Sequence, residues 1–433
     1  MSPFDRRKFL KRSALALPGL TALSEVSQRD FAPFEPSGRV FTRPFKDREV
    51  NRDFWDDVRD SYALSDARTY MNTGGLGPVS KQVLEAFHQR TVDLQTRSET
   101  GHALIETARE PVASFFGASP KEICFTRNAT EGNAIVASGL RLDPGDEVII
   151  DASAHPGGAI PWLNQLNLNG LVIRTFEPDA SSPEELVARI AALITPKTKV
   201  ISVSHITAPT GILLPVEAIS ALAKSHGCWF HVDGAQSAGM IPINLHDIGC
   251  DSYATSGHKW LGALHGTGIL YIAENGLDRI QPTEIGAYSD AGYSLPRSLT
   301  YIDTARRHES GTRNAPLVES VQKACSFLSD IGIGRIQQRG IDLAQRLRNH
   351  LQSNTNIEIL SPKHDALKTS ILTFRSPLMD FSTLNQKLSN DQQFRLRVVT
   401  EQELNAIRVS LHIFNTEEGV DRLGEAINAI IPS

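Results

Sequence analysis

The sequence predicts an α/β fold in which helices cover both faces of a mostly parallel sheet, followed by a smaller α+β domain. Between residues 120 and 275, short apolar runs rich in Val, Ile and Phe alternate with segments whose apolar residues recur at helical spacing. After about residue 315 this alternation gives way to a long helical pattern and a few strand-like runs. Strands that alternate with helices favour a parallel sheet covered on both faces.

The first region supplies the predicted sheet. Its strand-like runs cover 122–127, 147–153, 171–177, 199–207, 228–234 and 268–274. Helical patterns begin at Ala129 and cover 182–194 and 216–227. Ligands of such sheets bind beyond the carboxyl ends of the strands. His155, His205, Asp233 and Lys259 lie at or just after predicted strand ends, so we expect them at one edge of the sheet.

The second region predicts the smaller domain. One long helix is expected from Pro316 to about Ser353, then strands at 371–376, 394–399 and 406–414, and a last amphipathic helix over 416–431. We therefore predict a large domain over 71–315 and a small α+β domain over 316–433. Residues 31–70 are expected to pack against the small domain or a partner subunit.

The N-terminus resembles a twin-arginine export signal. Arg6-Arg7 precede Lys8-Phe9-Leu10, and Ser13–Leu23 is a weakly apolar segment too short to span a bilayer. Asp5 departs from the usual pattern, and a basic N-terminal arm is the alternative. We predict that residues 1–30 are a signal peptide, so the mature protein is periplasmic and has no membrane span.

Composition and charge argue against nucleic-acid binding, disulfides and a metal site. A net charge of -5, without a basic run after the first dozen residues, gives no basis for nucleic-acid binding. The four cysteines (Cys124, Cys228, Cys250, Cys325) are scattered without metal-ligand spacing. We interpret them as small buried apolar residues rather than disulfide or metal ligands, and we predict no metal site.

Asp233 and Lys259 carry the chemical prediction. They stand in HVDGAQ (231–236) and TSGHKWLG (255–262). A lysine amine can condense with an aldehyde, and an aspartate beside a pyridine nitrogen keeps that ring protonated and electron-withdrawing. These two residues predict a pyridoxal phosphate site.

Several motifs in order make the chain resemble the class V aminotransferase family of fold-type I pyridoxal-phosphate enzymes, which includes cysteine desulfurases and isopenicillin N epimerase-like proteins. They are ATE at 129–131, HVDGAQ, SGHK at 256–259 and RHESGT at 307–312. The resemblance covers nearly everything after about residue 68. It implies a seven-stranded sheet, pyridoxal 5'-phosphate as cofactor, and a homodimer with shared active sites.

The resemblance also implies site residues. Lys259 matches the Schiff-base lysine that shuttles the α-proton, Asp233 the partner of the ring nitrogen, and His155 a histidine stacked on the ring. The implied cofactor-binding set is Ala129, Thr130, His155, Asp233, Gln236, Ser256, His258, Lys259 and Thr312.

Within that set, Gln236 matches a hydrogen bond to the ring's phenolic oxygen. Ala129, Thr130, Ser256 and His258 match phosphate ligands, although Thr130 also suits an ordinary helix N-cap.

Three further residues match roles beyond a single cofactor. Thr312 matches a residue that reaches the phosphate held by the neighbouring subunit. Arg408 matches the arginine that binds the substrate α-carboxylate, and Asn72 lies in a substrate-side loop.

Two departures narrow the reaction. Ala208 stands where desulfurases usually carry Asn, and no cysteine follows Cys325 to accept sulfur. We therefore do not expect a desulfurase. The family resemblance implies an aminotransferase-like reaction on an amino acid or a peptidic or secondary-metabolite substrate. Epimerisation of the isopenicillin N epimerase type and elimination remain alternatives. A cofactor-free binding protein is the alternative from another class.

Overall fold

The computed structural model describes residues 44–65, 67–179 and 181–433. The predicted export signal at 1–30 lies outside these residues. Within them, no helix has both the length and the apolar character needed to cross a bilayer.

The strands include every predicted run and five that were not predicted. They are β1 (Thr69–Tyr70), β2 (Ile123–Thr126), β3 (Glu147–Asp151), β4 (Val172–Phe176), β5 (Thr198–Ser204), β6 (Trp229–Asp233), β7 (Ser252–Ser256), β8 (Gly268–Ile272), β9 (Asp290–Ser294), β10 (Ser298–Tyr301), β11 (Glu358–Ile359), β12 (Ile371–Arg375), β13 (Phe394–Arg395), β14 (Arg397–Val399) and β15 (Ala406–Ser410).

The helices cover the sheet and build the C-terminal part. They are α1 (Arg52–Asp60), α2 (Lys81–Arg97), α3 (His102–Phe115), α4 (Ala129–Gly139), α5 (Pro156–Asn169), α6 (Pro183–Ala191), α7 (Val216–Ser225), α8 (Leu245–Ile248), α9 (Ala315–Ile331), α10 (Ile333–Leu351), α11 (Phe381–Gln386) and α12 (Glu417–Ile430).

The main sheet has seven strands in the order β2-β8-β7-β6-β5-β3-β4. β8 runs antiparallel to both of its neighbours, and the pairs from β7 to β4 are parallel. Val200 and Trp229 belong to the apolar core on one face, whereas Ile201 and Phe230 belong to the core on the other. The predicted fold class, a mostly parallel seven-stranded sheet covered on both faces, is confirmed.

The C-terminal part has its own sheet, antiparallel in the order β11-β12-β15-β14. Its core includes Leu347 of α10, Phe374 of β12, Val409 of β15 and Leu423 of α12. The boundary at residue 315 stays a prediction.

Two predicted elements were wrong in their extent. The single helix expected from 316 to 353 is two helices, because Gly332 interrupts it with φ +94°. The strand expected over 394–399 is divided between two sheets, since β13 pairs with β1 and β14 pairs with β15. Lys259 was expected just after a strand end, but no range was predicted for that strand, β7, because the run Ser252–Ser256 is rich in hydroxyl side chains although it is fully buried.

The segment before β1 packs on α9. Phe45, Phe54 and Tyr62 belong to the same apolar core as Phe327, and the Tyr62 and Phe327 ring centroids are 5.9 Å apart.

Candidate active site

A cavity of about 290 Å³ lies beyond the carboxyl ends of the central strands. Most predicted site residues line it together, namely Ala129, Thr130, His155, Asp233, Gln236, Ser256, His258, Lys259 and Arg408. Asn72 reaches the same place indirectly, through a hydrogen bond to Arg408. The structure does not bring Thr312 into this cavity.

Lys259 lies three residues after the end of β7, in the turn that follows the strand, and its side chain lines the cavity. Burial lowers the pKa of its amine to about 8, although the Asp233 carboxylate acts in the opposite direction. At pH 7 about a tenth of an amine with that pKa is uncharged, compared with less than about one part in a thousand at a pKa of 10.5. The uncharged form is the one that imine formation and proton abstraction require.

Gly77 fixes the backbone at this point. Its N–H donates to the His258 carbonyl oxygen at 2.8 Å. A Cβ atom on Gly77 would lie 1.7 Å from the Lys259 carbonyl oxygen, so only glycine permits this approach.

Asp233 ends β6 and is held by a chain of buried side chains that sequence reasoning missed. Asn133 Nδ2 donates to Asp233 Oδ2 at 2.9 Å, and Asn133 Oδ1 lies 2.9 Å from His231 Nε2. His231 Nδ1 lies 2.8 Å from Ser252 Oγ, which also accepts the Trp229 Nε1 hydrogen at 2.9 Å. The position of Asn133, one helical turn after Ala129, was the one sequence signal that could have indicated it.

The N-terminus of α4 forms the opposite end of the cavity. Asn128 caps the helix by accepting the Glu131 N–H, and Ala129 N–H donates to Ser256 Oγ at 3.1 Å. The Ser256 hydroxyl hydrogen therefore remains available to a ligand. The helix dipole and the Ser256 hydroxyl hydrogen converge here, which favours a phosphate, whereas the Ala129 N–H expected to bind it donates to Ser256 instead.

One further feature of this end suits an anion. His258 Nδ1 is buried and has no hydrogen-bond partner among the described residues. Burial, followed by the neighbouring Lys259, lowers the pKa of its imidazole.

His155 begins α5, where its Nδ1 accepts the Gly157 N–H at 3.0 Å and so fixes the ring. Burial, and then Lys259, lowers the pKa of this imidazole. Gln236 is anchored at both ends of its amide. Its Nε2 donates to the Gly74 carbonyl oxygen at 2.9 Å, and its Oε1 accepts the Trp260 Nε1 hydrogen at 2.8 Å.

Arg408 lies in β15 with 1% of its surface exposed. Its Nη1 donates to the Ala208 carbonyl oxygen at 2.7 Å and its Nη2 to Asn72 Oδ1 at 3.2 Å. Its Nε is buried without a partner in the described part of the chain. Burial, and then the Arg397 guanidinium, lowers its pKa to about 9. No carboxylate neutralises Arg408 through these contacts, so a substrate carboxylate fits here.

Arg397 lines the same cavity, and sequence reasoning did not select it. It pairs with Glu401, four residues later.

Thr312 lines a second cavity of about 430 Å³, together with Glu309, Arg313 and Thr267. The buried Glu309 carboxylate accepts hydrogen bonds from Arg109 Nη1 at 2.8 Å and from the Phe125 N–H at 2.7 Å. This cavity shares none of its lining residues with the one that contains Lys259.

The first cavity suits pyridoxal 5'-phosphate. Its donors at the start of α4 match the phosphate, Asp233 matches a protonated ring nitrogen, and Lys259 matches the aldehyde. Glycines keep the space open, because a Cβ on Gly158 would lie 2.8 Å from Asp233 Oδ2 and one on Gly74 would lie 2.9 Å from Arg408 Nη2.

The four cysteines are buried and form no disulfide. Among the residues that the structure describes, no cluster of His, Cys, Asp and Glu could hold a metal ion.

Comparison with known proteins places this site in a family. The family profile described as "Aminotransferase class-V" matches residues 79–423. The isopenicillin N epimerase of Amycolatopsis lactamdurans is 30% identical over 393 residues, which cover 87% of this chain and 98% of that protein. A probable cysteine desulfurase of Methanothermobacter thermautotrophicus is 27% identical over 400 residues, again 87% of this chain and 98% of that protein.

Solved structures agree with these relatives. The cysteine desulfurase CsdA from Escherichia coli is 25% identical, with a TM-score of 0.79 over 88% of this chain and 98% of that chain. A mutant of C-DES with glycine covalently linked to its PLP cofactor is 26% identical, with a TM-score of 0.77 over 85% of this chain and 98% of that chain. With a family match across most of its length and a cavity suited to the cofactor, the chain belongs to the class V aminotransferase family of pyridoxal-phosphate-dependent enzymes.

Proposed function

We propose that this protein moves the α-proton of an amino-acid-type substrate and transfers its amino group, by way of the cofactor, to a 2-oxo acid acceptor. The observation that carries the proposal is the presence of Lys259, Asp233 and Arg408 around one cavity. When bound, pyridoxal phosphate withdraws electron density from the substrate Cα, which makes the α-proton acidic. Arg408 then binds the α-carboxylate, and Lys259 accepts and returns the proton.

Transamination is supported by the single amine at the site. Lys259 is the only lysine among the described residues that line the cavity. Transamination can proceed with one base on one face of Cα, whereas epimerisation with two bases would need a second proton donor, for which His155 in the same cavity is a candidate. Epimerisation is the second candidate, because relatives named isopenicillin N epimerase match across 98% of their length.

A persulfide-forming desulfurase reaction is not proposed. No described residue that lines the cavity is a cysteine, and burial raises the pKa of the Cys124, Cys250 and Cys325 thiols. A thiol nucleophile is therefore missing where the substrate would lie.

The test combines a spectrum with product analysis. Purified protein supplied with pyridoxal phosphate should show a visible absorption band. Lys259→Ala should lack this band, whereas Lys323→Ala, at an exposed lysine, should retain it. Incubation of amino acids with a 2-oxo acid as amino acceptor in deuterium oxide should exchange the α-hydrogen and yield the keto acid of the donor. Exchange with inversion but without keto acid would establish epimerisation instead, and a protein that stays colourless would reject both.

We also propose that the protein is exported folded by the twin-arginine route, on the basis of Arg6-Arg7 and the apolar segment that follows. Arg6→Lys/Arg7→Lys should retain precursor in the cytoplasm, measured by fractionation and immunoblot. Unchanged export of this double variant would reject the route.

We further propose a homodimer in which Thr312 serves the partner's cofactor, because Thr312 lies outside the cavity of its own Lys259. Lys259→Ala and Thr312→Ala should each be impaired alone. Refolding them together should restore activity, since one site of the mixed dimer would combine an intact Lys259 with an intact Thr312. No rescue, or a monomer by light scattering, would reject the arrangement.

A further inference from the structure

Two arginines stand opposite each other at the cavity. Arg397 of β14 and Arg408 of β15 are register partners in an antiparallel pair, and both line the cavity. Side chains at directly opposite positions lie on the same face of the sheet with Cβ atoms about 5 Å apart. Like charges in that position are unfavourable unless anions compensate them, so the pair is expected to bind negative groups, of which the Glu401 carboxylate is one.

The two arginines differ in what they already bind. Arg408 is almost fully buried and donates to a carbonyl and an amide oxygen, which leaves its charge for the substrate α-carboxylate. Arg397 is 27% exposed in its side chain and donates from Nη2 to Glu401. In the described part of the chain this is the one hydrogen bond of its guanidinium, so Nε and Nη1 remain available to another anion.

Glu401 occupies one edge of the Arg397 guanidinium. Water still reaches this pair, since 27% of the Arg397 side chain and 24% of the Glu401 side chain are exposed, and contact with water weakens an ion pair. The backbone beyond it is unusual, since Gln402, Glu403 and Asn405 have φ values of +51°, +56° and +48°. Left-handed backbone at three non-glycine residues is strained and tends to occur at functional sites.

We propose that Arg397 binds a second carboxylate of the substrate, so the enzyme prefers amino acids with an anionic side chain or an anionic remote group. This inference rests on the proposed function, because it assumes that Arg408 holds the α-carboxylate. Glu401 neutralises Arg397 while the site is empty and yields one edge of the guanidinium when the substrate arrives. A planar guanidinium suits this task because it can donate to two carboxylates in defined directions.

The experiment compares charged substrates with neutral isosteres. The holoenzyme is titrated with L-glutamate against L-glutamine, L-aspartate against L-asparagine, and L-2-aminoadipate, and then with the D-enantiomers, while its visible spectrum is recorded. We expect at least one dicarboxylate to bind about ten-fold or more tightly than its neutral counterpart.

Three variants assign that preference. Arg397→Gln should abolish the discrimination while neutral amino acids still bind. Glu401→Gln should strengthen binding of the dicarboxylate, because its competitor is lost. Arg395→Gln, the exposed arginine two residues earlier, is the matched control and should leave discrimination unchanged. Thermal unfolding of each variant verifies that it is folded.

Two results would overturn the inference. They are equal binding of charged and neutral amino acids by the unaltered enzyme, and a preference that persists in Arg397→Gln. In either case neutral amino acids would still react and the proposed function would stand. A coloured holoenzyme that responds to no amino acid would instead overturn both proposals.

Discussion

The buried amine of Lys259 makes a quantitative prediction about the protein without its cofactor. Burial lowers its pKa from 10.5 to about 8, so the folded state disfavours the ammonium form. At about 1.36 kcal/mol per pKa unit, this costs up to about 3 kcal/mol of stability at neutral pH. Lys259→Met keeps a similar length without the charge, and we expect it to raise the free energy of unfolding by up to that amount at pH 7.

The pH dependence follows from the same shift. Between pH 8 and 10.5 the unfolded chain binds more protons at this lysine than the folded chain does, so the stability of the unaltered protein rises with pH. The advantage of Lys259→Met should therefore shrink from pH 7 to pH 10.5. Urea denaturation of cofactor-free protein at pH 7 and pH 10 measures both values, with exposed Lys323→Met as control. A variant that is no more stable at pH 7, or equally favoured at both pH values, would refute the reasoning.

Three other substitutions test the supporting structure. Asn133→Ala removes the donor to Asp233 Oδ2 and should weaken pyridoxal phosphate binding about ten-fold in an absorbance titration, unlike exposed Asn349→Ala. Glu309→Gln removes the buried carboxylate beside Arg109 and leaves the half-exposed Glu106 as its remaining acidic partner, so it should lower the free energy of unfolding by up to about 3 kcal/mol in urea. Gly77→Ala places a Cβ against the Lys259 carbonyl oxygen and should reduce cofactor binding, whereas Gly292→Ala enters open space and should not.

Each of these expectations can fail in its own way. Unchanged cofactor affinity in Asn133→Ala would mean that Asp233 is oriented without the chain behind it. Unchanged stability of Glu309→Gln would show that Arg109 is neutralised by Glu106 alone, which lies 3.3 Å away. Equal affinity of Gly77→Ala and Gly292→Ala for pyridoxal phosphate would show that the loop before α2 can move away from Lys259.

The sequence predicted those parts of the fold that repeat a simple pattern. Apolar strands and amphipathic helices alternate with clear periods, so the parallel sheet and its covering layers could be predicted. The range of β7 could not be predicted, because its hydroxyl side chains suggest an exposed segment. In the structure these hydroxyl groups form hydrogen bonds inside the protein, for example with Trp229 and Ala129. The division of residues 394–399 between two sheets depends on the strands that pair with each half. A local sequence pattern does not indicate which strands will pair.

The residues of the candidate site also differ in whether the sequence alone could identify them. Lys259 and Asp233 stand in distinctive local motifs, so their sequence neighbours identify them. Asn133 and Arg397 have ordinary neighbours and acquire their roles from distant partners, a carboxylate 100 residues away in one case and an opposite strand in the other. Residues of that kind require the three-dimensional arrangement before chemistry can be assigned to them.

The direction of the hydrogen bonds behind Asp233 determines what the carboxylate can do. Trp229 Nε1 can only donate, so Ser252 Oγ accepts its hydrogen and donates its own to His231 Nδ1. His231 then carries its hydrogen on Nε2 and donates to Asn133 Oδ1, and burial lowers the pKa of this imidazole to about 4. Every member of the chain is neutral. The chain orients Asp233 without cancelling its charge, so the compensating charge has to come from the cavity, as the proton on a pyridine nitrogen would provide.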